Sequence, residues 1–348
     1  MAAYIIRRLL LMIPTFIGIT MVVFFVIRSA PGGPIEQARL AKLQAAMGGA
    51  NGAGTVSAGP QIDQTELSEK DKAILMKEYG ISDNVVVDYF TWLGKLIQLD
   101  FGRSSIYNTS VLKMITSKMP ISIFFGLITM FITYAVSIPL GLTKAIKHKT
   151  MFDNATSLSV YFGYAIPNYA LGALLVVFVS AQWELLPLGG FVSDNFKMLS
   201  FWGGVWDLII HAVLPITCYV IGSFAFLTML MKNQLMEQMA SDYVRTALAK
   251  GVPYKTAIFK HAFDNSLIPI ATTFGNQISL LVGGSFLIEK VFNIDGIGLL
   301  GFNSMLSKDY PVVMGVLAIS AFLQLLGNLL SDICVALVDP RVKFGQGE

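Results

Sequence analysis

"SDYVRTALAKGVPYKTAIFKHAFDNS" spans residues 241–266. It carries Asp242, Arg245, Lys250, Lys255, Lys260, His261 and Asp264 between two long apolar runs. Ser241 or Asp242 suits a helix start, because a short side-chain oxygen accepts from free backbone N–H groups. That helix is predicted to run to Lys250, with Gly251 in the left-handed position just past its end. Pro253 suits the first turn of a second helix, expected over 253–263, since its fixed φ is already helical. Two short polar helices joined at a glycine are therefore expected. Tyr243 and Ala247 share a face of the first; Tyr254, Ile258 and Ala262 share a face of the second. Ala247, Ala249 and Gly251 are small enough to let another surface approach the backbone. A solvated basic loop or an amphipathic helix on anionic lipid would carry the same charges, but lipid binding does not need the glycine break.

The rest of the chain says what surrounds this segment. It has 348 residues, 54% hydrophobic and 14% charged, with a mean hydropathy of +0.64. Soluble domains carry about 25% charged residues, so this is an integral membrane protein. The net charge of +3 is too small to argue for nucleic acid. Cys218 and Cys334 fall in or at the end of apolar runs, which argues against a disulfide framework or a zinc site.

A spanning helix needs about 20 apolar residues. Six runs qualify: 9–27, 120–142, 158–181, 212–231, 266–288 and 312–331. None contains Asp, Glu, Lys or Arg, each of which costs about 2.5–3.5 kcal/mol at a helix centre. A transmembrane β-barrel would instead show segments of about ten alternating residues. The expected fold is an all-α membrane protein with six transmembrane helices. The first run resembles a signal peptide, with Arg7 and Arg8 before it, but it is long for one and no clean cleavage site follows. It is expected to remain as a span.

Basic residues set the orientation. With a cytoplasmic N-terminus, one side holds Arg7, Arg8, Lys144, Lys147, Lys149, Lys232, Arg245, Lys250, Lys255, Lys260, Arg341 and Lys343. The short outer loops hold only Lys197, Lys290 and Lys308. Both termini are expected in the cytoplasm. The expected organisation is an N-terminus and first helix over 1–28, an extracytoplasmic subdomain over 29–119, a membrane core over 120–337 containing the loop 232–265, and a tail over 338–348. Within the subdomain, 37–64 is Gly/Ala-rich and reads as a flexible excursion. Residues 67–119 show helical spacing and read as folded, either a cap over helix ends or a docking surface.

Catalytic signatures are absent. No Gly-x4-Gly-Lys-Ser/Thr loop occurs, so the chain is not expected to hydrolyse ATP. His148, His211 and His261 lack metal-ligand spacing. Gly296-Ile297-Gly298-Leu299-Leu300-Gly301 matches a dinucleotide fingerprint literally, but it lacks the strand–helix–strand context and reads as a turn. Asn168, Asn276 and Gln277 lie in or near spans; such groups hydrogen-bond between helices or line a solute path. Gly283, Gly284 and Glu289 complete the candidates for that path. Ion-coupled transporters place ionisable groups at mid-membrane; their absence points to another energy source.

The opening segment resembles the coupling motif, or EAA loop, of ABC importer permeases. "DYVRTALAKGVPYKTAIFKHAFDNSLIPI" is similar to the peptide-importer branch. Arg245, Thr246, Ala247, Ala249, Lys250 and Gly251 stand where the general Glu-Ala-Ala-x3-Gly occurs, and His261-Ala262 follow the glycine by ten. The general Ile-x-Leu-Pro ending is absent, which argues for the peptide branch. "YIIRRLLLMIPTFIGITMVVFFVIRSAPGGP", "YAIPNYALGALLVVF", "GGSFLIEKVFNIDGIGLLG" and "NLLSDICVALVDPRV" also fit. "APGGPIEQA" and "LTMLMKNQ" look nearest to the Yej-type, B-side branch associated with microcin C and peptide uptake. Only 37–64 has no likeness.

The resemblance implies a type I ABC importer permease fold in the inner membrane. It implies ATPase contact through Asp242, Tyr243, Arg245, Thr246, Ala247, Ala249, Lys250, Gly251, Tyr254 and His261. The implied partners are a homologous second permease in a heterodimer, cytoplasmic ATPase subunits or a fused ATPase pair, and a periplasmic peptide-binding protein delivering the peptide substrate. This chain itself would bind no cofactor; ATP and Mg would sit on the partner ATPases. An ion-coupled secondary transporter and a non-transporting membrane scaffold are the alternatives.

Overall fold

A computed structural model describes residues 2–29, 84–283 and 285–338. The expected excursion over 37–64, the helical pattern over 67–83, Gly284 and the tail beyond 338 lie outside the described residues. In chain order the helices are α1 Ala2–Ser29, α2 Val85–Ile97, α3 Val111–Ile146, α4 Met151–Ala165, α5 Asn168–Leu175, α6 Phe201–Met239, α7 Asp242–Ala249, α8 Tyr254–Ala257, α9 Phe263–Gly283, α10 Phe286–Val291, α11 Ile297–Leu306 and α12 Tyr310–Val338. α5 continues into a π-helical turn over Val176–Gln182, and α8 into another over Ile258–Ala262. No strand occurs among the described residues.

Among the described residues four helices, α1, α3, α6 and α12, are long and apolar enough to cross a membrane. They coincide with the first, second, fourth and sixth expected runs. The third run is not one straight helix. α4 and α5 meet at a 90° bend. Pro167 has no N–H to continue the helical ladder, and its ring pushes the preceding residue out of the helical region. Ile166 accordingly has ψ 124°. Counted as one crossing, the pair makes a fifth span. The fifth run also differs: α9 stops at Gly283, short of 288, and a separate α10 follows.

The chain divides into two compact units, one of residues 1–16, 115–302 and 319–348, the other of 17–114 and 303–318. In the second unit, α2 is fastened to the end of α1. Asn84 caps α2 by accepting from Val86 N and Val87 N. The fully buried Tyr89 donates its hydroxyl to Ile17 O at 2.9 Å and meets Thr20 Oγ1 at 2.9 Å. Arg28 pairs with Asp88 at 3.2 Å. A second clasp holds the 102–111 turn: Ser104 Oγ donates to Asp309 Oδ2 at 2.5 Å, and Ser105 N donates to Asp309 Oδ1 at 3.0 Å.

In the first unit, small residues set how closely helices approach. A side chain at Gly141 of α3 would lie 2.6 Å from Met231 Cβ and 2.7 Å from Thr228 O of α6. Dispersion drives helix association in lipid, so backbones need such bare positions. Ser331 of α12 donates to both Ala271 O and Thr272 O of α9, at 2.9 and 2.8 Å. One buried core gathers Ala145, Leu227, Met231, Leu235 and Ile270 with residues of the polar segment.

Candidate coupling site

The site begins where α6 leaves its apolar run. Ala240 closes α6, its N–H bonding to Met236 O and Glu237 O. Ser241 is the N-cap of α7 in extended conformation, but its hydroxyl donates backwards to Gln238 O at 2.5 Å. The expected side-chain cap of α7 is therefore not made. α7 then ends as its sequence predicts. Gly251 has φ +83°. Its N–H bonds Leu248 O at 3.0 Å, and Val252 N bonds Ala247 O at 3.1 Å. This is the Schellman pattern, which satisfies carbonyls left over at a helix end. Nothing lies within 4 Å of a Cβ built on Gly251; the requirement there is conformational, not spatial.

The second helix differs from the expected short one. Pro253 is the N-cap, not a first-turn residue, with ψ 141°. From Tyr254 the chain turns helically through the π-helical stretch into α9 without a break. The segment is one short helix and the leading end of a long one, jointed at Gly251.

One face of this pair is packed. Val244, Ala257, Ile258 and Ala262 are each at most 2% exposed and join the core with Ala145, Met231 and Leu235. Burying side chains such as Val244 and Ile258 stabilises by about 1.5–3 kcal/mol each. Tyr243 adds a polar knot: its hydroxyl donates to Gln238 Oε1 at 2.7 Å and accepts from Asn265 Nδ2 at 3.1 Å. The same Asn265 nitrogen donates to His261 O at 3.0 Å. His261 thus enters through its backbone carbonyl.

The opposite face is open. Asp242, Arg245, Thr246, Ala249, Lys250 and Tyr254 are exposed, and Ala247 is half-buried. Leu248, Tyr254 and Phe259 are large side chains left in the open on this face. Arg245 and Asp242 approach to 3.9 Å with both side chains solvated; a pair so exposed contributes little. Of the ten residues expected on this segment, Tyr243 and His261 enter the polar knot, and the exposed ones lie on a mixed basic and apolar surface.

The residues expected along a solute path are not gathered into one place. Asn168 opens α5 and fills the space beside Gly222 of α6. Gln277 is half-buried on α9, and Gly283 ends that helix. The side chain of Asn276 lies outside the described residues. Glu289, on α10, is buried, and its Oε2 accepts from Leu299 N at 2.6 Å at the start of α11. Burial pushes its carboxyl up to about 7, against the Leu299 and Gly298 N–H groups that favour the ionised form. The literal Gly-x-Gly-x-x-Gly at 296–301 therefore opens a helix whose backbone N–H groups bond the carboxyl group of Glu289 in the same chain.

One cluster was invisible in the sequence. Asp153, in the first turn of α4, accepts from Lys232 Nζ of α6 at 2.7 and 2.8 Å. Lys144 Nζ of α3 lies 3.2 Å from Asp153 Oδ1 and donates to Asp153 O, Thr156 Oγ1 and Ser157 Oγ. His148 Nδ1 is 3.3 Å from Asp153 Oδ2. Lys144 and Lys232 read in the sequence as loop charges: nothing in spacing pairs Lys232 with a residue 79 positions away, and Lys144, nine residues from Asp153, sits in the loop itself. The available signal was Asp153 standing close to four cationic or imidazole groups, Lys144, Lys147, His148 and Lys149, in one short loop.

Comparison with known proteins follows the same residues. Residues 137–344, which include the whole segment, match the family described as "Binding-protein-dependent transport system inner membrane component". The chain is 39% identical to the inner membrane ABC transporter permease protein YejB of Escherichia coli O157:H7, covering 99% of each. It is 37% identical to the peptidoglycan transport system permease protein YejB of Agrobacterium fabrum, again covering 99% of each. It is 33% identical to the oligopeptide transport system permease protein AppB of Bacillus subtilis, covering 99% of this chain and 100% of that one. With most of the chain matched and the jointed segment inside the match, this protein belongs to the binding-protein-dependent transport system inner membrane component family.

Proposed function

We propose that the chain is the peptide-translocating permease of an ATP-driven importer, crossing the inner membrane six times in a type I permease fold with both termini in the cytoplasm. The observation that carries the reading is the Gly251 joint. A packed helix pair offers an open basic and apolar face at one end and runs straight into α9 at the other. Such an element transmits a push as a rigid body. In this reading the bent α4–α5 pair is one crossing and α9 another, and residues after α1 form the extracytoplasmic subdomain.

The open face at Asp242, Arg245, Lys250 and Tyr254 would dock on a cytoplasmic ATPase, a separate subunit or one half of a fused pair. That partner would hold ATP and Mg, and this chain would bind no cofactor and catalyse no reaction. A homologous permease would complete a heterodimeric channel, and a periplasmic binding protein would deliver peptide. The relatives named for oligopeptide and peptidoglycan transport support peptides as the substrate class, and the Yej-type resemblance adds microcin C-like conjugates.

Reconstitution into vesicles with candidate partner permease, ATPase and binding protein tests this. The expected result is peptide uptake that requires ATP and the binding protein. Uptake that instead follows an ion gradient without ATP would identify a secondary transporter. No flux in any condition would identify a scaffold. Paired assays with a free oligopeptide and a peptidoglycan-derived peptide separate the two substrate classes.

A further inference from the structure

The buried charges at the corner of α3, α4 and α6 sit directly beside the coupling segment's core. Lys144 precedes Ala145, and Lys232 follows Met231; Ala145 and Met231 pack in one core with Val244, Ala257 and Ile258. Leu235, one turn beyond Lys232, is fully buried in that core too. The Lys144 side chain is 0% exposed, Asp153 3% and Lys232 9%. Asp153 is held by two lysines from two other helices, so the cluster carries more positive than negative charge out of water. Such a site is a costly way to add stability. Its geometry does something else. An ion pair shielded from water resists stretching far more than one in solvent, and here every carboxylate oxygen is engaged across helices. The Lys232–Asp153 pair is the charged link between α6 and α4, which also pack at Gly163 and Ile221, while Lys144–Asp153 holds α3 to α4.

We propose that Lys232 is a positioning residue for energy coupling: by gripping Asp153 it fastens α6, which carries the coupling segment, to the α3–α4 corner, so that displacement of the segment moves all three helices together. The inference rests on the permease reading above. It assigns the residue no contact with ATPase or peptide. Without the link, the ATPase still docks and cycles on the open face, but α6 slips against α4 and the stroke is partly lost.

The test uses the reconstituted importer and measures peptides taken up per ATP hydrolysed. Lys232→Met removes the charged α6–α4 link, leaves the Lys144–Asp153 pair balanced and keeps the α4–α6 packing at Gly163 and Ile221, so folding is kept. The expected result is a fall of at least threefold in peptides per ATP, with ATPase co-purification and binding-protein-stimulated hydrolysis close to wild type. Lys232→Arg, which can still grip both carboxylate oxygens, is expected to restore at least half of the ratio. An unchanged ratio in Lys232→Met overturns the proposal. So does a loss of uptake that tracks lost assembly and is not restored by arginine, which is what a merely structural role predicts. A wild-type complex without ATP-driven uptake overturns the permease reading and this inference with it. Wild-type uptake with an unaltered variant overturns this inference alone.

Discussion

Asn265 Nδ2 lies 3.1 Å from the Tyr243 hydroxyl, and through it α7 is tied to the helix that becomes α9. The same hydroxyl donates to Gln238 Oε1 at the end of α6. Three pieces of backbone thus share one oxygen. Tyr243→Phe removes it and keeps the ring. A net hydrogen bond contributes about 0.5–1.5 kcal/mol, so a loss of about 1–2 kcal/mol is expected. Thermal unfolding of the detergent-purified protein reads it; a variant as stable as wild type contradicts the knot.

Gly251 separates two kinds of strain. Gly251→Ala keeps the N–H to Leu248 O but places a Cβ at φ +83°, costing roughly 1–2 kcal/mol. Gly251→Pro loses that N–H and forces φ to about −65°. Alanine is expected to lower uptake modestly. Proline is expected to abolish uptake and weaken ATPase co-purification while membrane insertion continues. Normal transport and co-purification in the proline variant would sink the joint.

Glu289 supplies a pH dependence. Its carboxyl is raised from 4.5 to about 7 in the folded chain. The folded state therefore prefers the protonated form. The stabilisation is complete below about 4.5 and is lost as pH rises through about 7, on the order of 3 kcal/mol in all. Melting curves at pH 5 and pH 8 are expected to diverge for wild type and to converge for Glu289→Gln. Glu289→Ala, which leaves Leu299 N–H without its acceptor, is expected to be the less stable of the two variants at both pH values.

Asp309→Asn and Ser104→Ala test the clasp on the 102–111 turn. Asp309 is 1% exposed and accepts from Ser104 and Ser105. Leaving a buried polar group unsatisfied costs about 1–3 kcal/mol. Amide exchange over 102–111 is expected to accelerate in either variant, with α6 unchanged. Equal protection in wild type and both variants would refute the clasp.

Gly141→Val tests the α3–α6 crossing. The new Cβ meets Met231 Cβ at 2.6 Å, and Thr228 O, a backbone atom, at 2.7 Å. Overpacking of this kind costs about 1–3 kcal/mol. A lower melting temperature and reduced uptake are expected, whereas a neutral variant would show that the helices part without penalty.

Much of this architecture was legible because apolar length is a one-dimensional property. α1, α3, α6 and α12 are read from runs of about 20 residues, and the α7 end is read from Gly251. The 90° bend was not, because Ile166 and Pro167 sit inside an unbroken apolar run; only the proline marks it, and prolines inside α3 and α6 produce no such break. The fusion of α8 with α9 was hidden by polarity: Lys260, His261 and Asp264 look like a loop although the backbone stays helical. The Asp153 cluster and the Glu289 contact are pairings across sequence, set by packing and not by local pattern. The full Gln37–Gln64 excursion lies outside the described residues, so its reading stands as an expectation.

The unbroken path from Tyr254 to Gly283 has a mechanical consequence. Thirty helical residues span roughly 45 Å at 1.5 Å each. Near the middle of that rod, Ser331 holds Ala271 and Thr272, and Gly275 abuts Gly327 O. Gripped at its midpoint, a helix that stays straight through its π-helical turn and Pro269 is a see-saw: tilting one end outward carries the other inward. Spin labels at Lys255 and at Leu281, each paired with a label on α12, are expected to report opposite distance changes when nucleotide is added, and parallel changes would show that the beam bends.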